Sequence, residues 1–154
     1  MPQLKGVSAA LAGDPEALLA AEEIAVSLGL NPVRVTGDRA LYHAASVIAG
    51  NFSTVLMATA TSLLEASGLP PEQARGFLAP LAISSTKNSA AIGASSLTGP
   101  ISRGDVGSIA SHRRAISKEL PELLPLYDEL CAAAVSMAVS DGLDPKTALR
   151  LIRP

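Results

Sequence analysis

The sequence predicts a mainly α protein, a helical bundle preceded by a small strand–helix–strand unit. Three observations carry this. Only the first 36 residues hold short β-type runs, Lys5 to Ala12 and Val33 to Thr36. From Gly37-Asp38 onward, helix starts and stops follow one another with no alternating run between them. The apolar content is 48%, yet aromatics make up 3% and Trp is absent, so any core is built from Ala, Leu, Val and Ile. Small side chains let helices approach closely, which predicts tight packing with much of each helix buried, part of it between subunits.

The elements follow in order. Lys5–Ala12 reads as a strand, and Asp14-Pro15 supplies an N-cap followed by Pro at the first helical position. Leu18, Ala21, Ala25 and Leu28 recur at helical spacing, and Gly29 ends that helix. Asn31-Pro32 reads as a turn into the strand Val33-Arg34-Val35-Thr36. Asp38 then caps a single helix from Arg39 to about Ser67, stopped by Gly68. At about 1.5 Å per residue such a helix would be about 43 Å long. Pro70-Pro71 starts the next helix, kinked at Pro80 and ending near Gly93. Asp105 caps a helix through Ser117, with Val106, Ile109 and Ile116 on one side. Pro121 or Pro125 opens another that reaches Ser140, and Asp144-Pro145 starts a short last one. The division expected is residues 1–36 as the strand–helix–strand unit and residues 37–154 as the helical domain.

Composition narrows the function classes. A net charge of −2, with two Phe and two Tyr, offers neither a basic footprint nor a stacking platform for nucleic acid. The lone Cys131 excludes a disulfide framework and reads as a buried small hydrophobe in a reducing cytoplasm. No secretory leader pattern is visible at the start of the sequence. Ala40 to Leu64 lacks charge, but His43, Ser46, Asn51, Ser53, Thr54, Thr59, Thr61 and Ser62 would be costly in lipid. A buried helix in a soluble domain is expected there, and no membrane. His43 and His112, without a Cys or His partner at ligand spacing, predict no metal site. His112, Arg113 and Arg114 read as a solvated helix face.

Two constellations have chemistry to offer. At 100° per residue, His43, Ser46, Gly50, Thr54 and Thr61 share one side of the predicted long helix, with Asn51 at its edge. Ile48, Phe52, Val55, Leu56 and Leu63 lie opposite. Such a stripe either lines a cleft, where a histidine exchanges a proton near neutral pH, or bonds its hydroxyls back to its own helix. The second constellation is the loop Leu97-Thr98-Gly99-Pro100-Ile101-Ser102-Arg103-Gly104-Asp105. Its Thr98 hydroxyl and Arg103 fork suit a carboxylate or phosphate, and the competing reading is a rigid turn with Asp105 as the following cap. Asn88, in the run Ser84–Ser89, adds the only bidentate amide there.

The loop Leu97–Asp105, taken with Leu41-Tyr42-His43-Ala44-Ala45-Ser46-Val47-Ile48-Ala49-Gly50-Asn51, resembles the C-terminal domain of Rossmann-like NAD(P)-dependent oxidoreductases. These are relatives of pyrroline-5-carboxylate and ketopantoate reductases, and this half of them is catalogued as a domain of unknown function. The resemblance extends over nearly the whole chain. It implies a fold like the C-terminal domain of 6-phosphogluconate dehydrogenase, acting as the substrate and dimerisation half. It also implies that Tyr42, His43, Asn51, Asn88, Thr98 and Arg103 border the interdomain cleft, and Ser46, on the polar stripe beside them, is expected to contact substrate. In that scheme His43 or Asn51 orients a small-molecule substrate and Arg103 holds an anionic group on it. Ser46, Ile48 and Gly50 depart from the family pattern, where Ala, Phe and Ser are expected, and Ser102 stands where Ala is common. No Gly-x-Gly-x-x-Gly follows a strand. NADP or NAD is therefore expected on a Rossmann domain outside these residues, with no cofactor bound by this chain alone and a homodimer as its assembly. The alternative is a stand-alone helical dimer that binds or assembles without chemistry.

Overall fold

The computed structural model of the chain describes residues 5–152. It is mainly helical, with one two-stranded parallel sheet near the N-terminus. The chain divides into two compact units at Ser53/Thr54.

In the first unit, β1 (Ser8–Leu11) pairs in parallel with β2 (Asn31–Arg34), and α1 (Pro15–Ser27) makes the crossover. This is the strand–helix–strand unit expected. Asp14 caps α1 by accepting the Ala17 N–H at 2.8 Å, and Pro15 stands at its first position. Gly29 closes it with φ +74°, a conformation that disfavours any side chain. The second strand begins two residues earlier than expected, and Asn31-Pro32 is strand rather than turn. The Asn31 N–H donates to the Val7 carbonyl at 2.9 Å, and its side-chain amide donates to the Gly6 carbonyl at 3.0 Å. Asn31 and Val35 both donate toward β1, so by alternation Pro32 stands where the N–H would point away from the ladder. A bidentate Arg34–Glu22 pair, both bonds 2.7 Å, fastens β2 to α1. It lowers the Glu22 carboxyl's pKa through the hydrogen bond and the guanidinium charge.

The predicted long helix is two segments, α2 (Arg39–Ala49) and α3 (Asn51–Ala66), meeting at Gly50. Gly50 has φ −96° and ψ −72°, and a Cβ there would stand 3.2 Å from the Ser46 carbonyl. Asp38 caps α2 as expected, accepting the Ala40 N–H at 2.7 Å. Neither α2 nor α3 has a fully buried residue, which corrects the expectation of a buried helix. By length and composition alone, Arg39–Ala66 and Pro121–Ser140 are long and apolar enough to cross a membrane.

The second unit continues with α4 (Pro71–Ile92), a 3-10 turn at Gly93–Ser96, α5 (Val106–Glu119), a 3-10 turn at Pro121–Leu123, α6 (Leu124–Ser140) and α7 (Pro145–Ile152). Pro80 lies inside α4 and Pro71 opens it, as read from the sequence. The core gathers where α5, α6 and α7 meet: Ile109, Cys131, Val135, Ala148 and Leu151, flanked by Ile101, Val106, Tyr127 and Leu143. Cys131 is buried there, and burial pushes its thiol pKa up. Tight packing does not extend to α4, in which only Ala74 is buried. Phe77, Leu81, Ile83 and Ile92 of that helix are exposed.

Arg113 corrects the reading of a solvated face. It is buried on the same side of α5 as Ile109 and Ile116. Its Nε donates to Asp128 at 2.6 Å and its Nη1 to the Leu151 carbonyl at 2.7 Å, joining α5 to α6 and α7. His112 also has a partner, its Nδ1 lying 2.8 Å from the Tyr127 hydroxyl with the rings edge to face.

Candidate functional site

A cleft of about 630 Å³ in the first unit opens at the carboxyl ends of the two parallel strands. Ala10 and Ala12 come from the end of β1, Val35 follows β2, and Arg39, Ala40, Tyr42 and His43 come from the first turns of α2. The sequence folds this way because Asp38 starts α2 four residues after β2 ends. Arg39 and His43 are then one helical turn apart. Three Ala side chains leave room for a ligand to approach the backbone. A cleft of this size lies within the range of small-molecule sites, and strand carboxyl ends are where ligands of open parallel sheets bind.

Of the residues singled out from sequence, Tyr42 and His43 share this cleft. Ser46 and Asn51 do not line it. Ser46 Oγ donates to the Tyr42 carbonyl at 3.1 Å, and Asn51 is the exposed first residue of α3. Ser53, Thr61 and Ser62 likewise bond back to the carbonyls four residues before them. Of the stripe's hydroxyls, those of Ser46 and Thr61 thus bond to their own helix, while His43 lines the cleft. Arg39 was missed. Its signal was available: a cation four residues before the histidine, at the start of a helix with a recognisable cap.

In the second unit, Asn88 is exposed on α4 and Thr98 is exposed in the loop before α5. That loop is held by its own backbone. The Asp105 N–H donates to the Pro100 carbonyl at 2.8 Å, and Gly99 and Gly104 carry positive φ. Asp105 accepts the Ser108 N–H at 2.9 Å and the Ser108 hydroxyl at 2.6 Å. These bonds lower its carboxyl pKa and fill the helix start, so a phosphate is not accommodated there. Arg103 lines a smaller cleft of about 280 Å³ with Ser102, Met137, Asp141 and Asp144 among its walls. Two carboxylates therefore share the surroundings of that guanidinium.

The strand-to-helix turn after β1 does not fit a dinucleotide. It reads Ala12-Gly13-Asp14-Pro15, with a single Gly, a carboxylate already accepting the Ala17 N–H, and a Pro lacking an N–H. Pyrophosphate needs free N–H groups and a closely approachable backbone at that point. Among the described residues, no three His, Cys, Asp or Glu are grouped to hold a metal.

A family model described as Domain of unknown function (DUF2520) matches residues 7–134. The chain belongs to that family. The match covers β1 through most of α6, and so contains both the Tyr42–His43 cleft and the Arg103 loop. No curated protein and no solved structure matches the chain.

Proposed function

We propose that this DUF2520 domain is the substrate-binding and dimerisation half of an NAD(P)-dependent oxidoreductase, working in the cytoplasm with a Rossmann domain that holds the dinucleotide. The observation that carries this reading is the position of Tyr42 and His43, in a roomy cleft at the carboxyl ends of a parallel strand pair. In this reading His43 exchanges a proton with a small-molecule substrate and the Tyr42 hydroxyl orients it. Asn51, Asn88, Thr98 and Arg103 keep the bordering roles that family resemblance implies. Phe77, Leu81 and Ile92, which share one side of α4 at 100° per residue, support self-association, since a helix with that side uncovered gains by burying it against another copy. The same surface suits the second reading, a helical dimer without chemistry.

The two are separated by fusing the chain to a Rossmann domain of a related reductase and following NADPH consumption with carbonyl and imine substrates. Turnover that falls about 100-fold or more in His43→Ala, the usual weight of a positioned acid or base, is the expected result. Turnover unchanged by both His43→Ala and Arg103→Ala removes the site assignment. Micromolar binding of NADPH to the unfused chain by calorimetry would overturn the placement of the cofactor on another domain.

A further inference from the structure

We propose that Arg39 makes the Tyr42–His43 cleft an oxyanion site, selecting ligands that carry a carboxylate or phosphate group beside the atom His43 serves. The inference rests on the reading of this cleft as a ligand site and adds the class of ligand. Among the cleft-lining residues Arg39 is the only fixed charge, and no carboxylate lines the wall with it. Among the described residues its guanidinium takes part in no ion pair or side-chain hydrogen bond. Arg34 contrasts with it, spending its fork on Glu22. Arg103 contrasts in another way, because Asp141 and Asp144 share its cleft. Asp38, the acidic neighbour of Arg39 in sequence, directs its carboxylate to the Ala40 N–H and is not part of the cleft wall. An arginine fork left open toward a ligand-sized cavity matches an oxyanion bidentately, with geometry as well as charge. With His43 one turn further along the same helix, an oxyanion on Arg39 would fix the ligand's orientation against the imidazole.

The test titrates the isotope-labelled chain with sodium acetate and, separately, with inorganic phosphate, holding ionic strength constant with chloride. The His43 ring and the backbone amides of Ala10, Ala12, Val35 and Ala40 are followed by NMR. Saturable shifts confined to this set are expected with at least one anion, and the one that binds more tightly assigns carboxylate or phosphate. Binding weakens by about tenfold or more in Arg39→Met and Arg39→Gln, as for a lost charge-assisted contact, and is retained in Arg75→Met, which removes an exposed arginine of α4 outside the cleft. Either Arg39 variant suffices if its spectrum stays dispersed. No saturable shift with either anion overturns the proposal, as does binding that survives loss of Arg39 or depends equally on Arg75. This readout needs no turnover. A failed titration with an active, His43-dependent fusion removes only the oxyanion site, whereas the converse removes the oxidoreductase reading.

Discussion

Arg113 shows how one side chain can hold three helices. Its fork is almost fully buried, while the Asp128 carboxylate it meets keeps 43% of its side-chain surface in solvent. Part of the ion-pair energy is therefore offset by water, and the Leu151 carbonyl is the more dependent partner because Leu151 is completely buried. Replacing Arg113 with Met should cost about 1–3 kcal/mol, the penalty for stranding a buried acceptor. In urea unfolding this reads as a lower midpoint with an unchanged slope. Arg113→Lys should fall between, since one ammonium does not reproduce the fork. Sequence reading placed Ile109 and Ile116 correctly on one side of α5 and left Arg113 to solvent. The spacing of 109, 113 and 116 put all three on that side, but the burial of a cation depends on Asp128 and Leu151, and no local pattern announces partners so distant in the chain.

The helix boundaries were the most legible feature. Asp14, Asp38, Asp105 and Asp144 each accept the backbone N–H of a following first turn. Such a cap is chemistry between residues two or three apart, and a sequence displays it directly. The loop before α5 carries a further requirement that sequence does not display. Gly104 has φ +68°, and a Cβ on it would stand 2.8 Å from Thr147 Cγ2 of α7. Gly104→Ala should destabilise by about 1–3 kcal/mol, combining the left-handed backbone cost with that contact. Gly107, inside α5, would place a Cβ no closer than 3.5 Å to Asp105 Oδ1. Gly107→Ala should be neutral or stabilising by up to about 1 kcal/mol. Thermal unfolding of the two variants side by side checks the pair, and equal effects would mean that the loop does not depend on its approach to α7. The break at Gly50 was not foreseen for a related reason: one glycine lowers helix propensity without ending a helix.

For the assembled molecule, the prediction concerns α4. A helix that exposes Phe77, Leu81, Ile83 and Ile92 leaves a large apolar area in water. Sedimentation at micromolar concentration should give a dimer, and Phe77→Ser with Leu81→Lys should shift it toward monomer. A wild-type chain that sediments as a monomer would remove this role for α4. Composition already pointed this way through few charges and small side chains, since a chain with little polar surface tends to cover its apolar faces. Helix caps, the order strand, helix, strand and the helical majority were written locally in the sequence, because each depends on neighbours within a few residues, whereas the parallel pairing of β1 with β2 joins residues distant in the chain. The family resemblance likewise rested on two short motifs, and the match over residues 7–134 bears out its domain-of-unknown-function part. Folding alone revealed that Arg113 is internal, that α2 to α4 stay largely uncovered, and that Arg39 and His43 share a cleft with the ends of β1 and β2. Burial and cleft formation join groups far apart along the chain, so they depend on where whole elements come to rest.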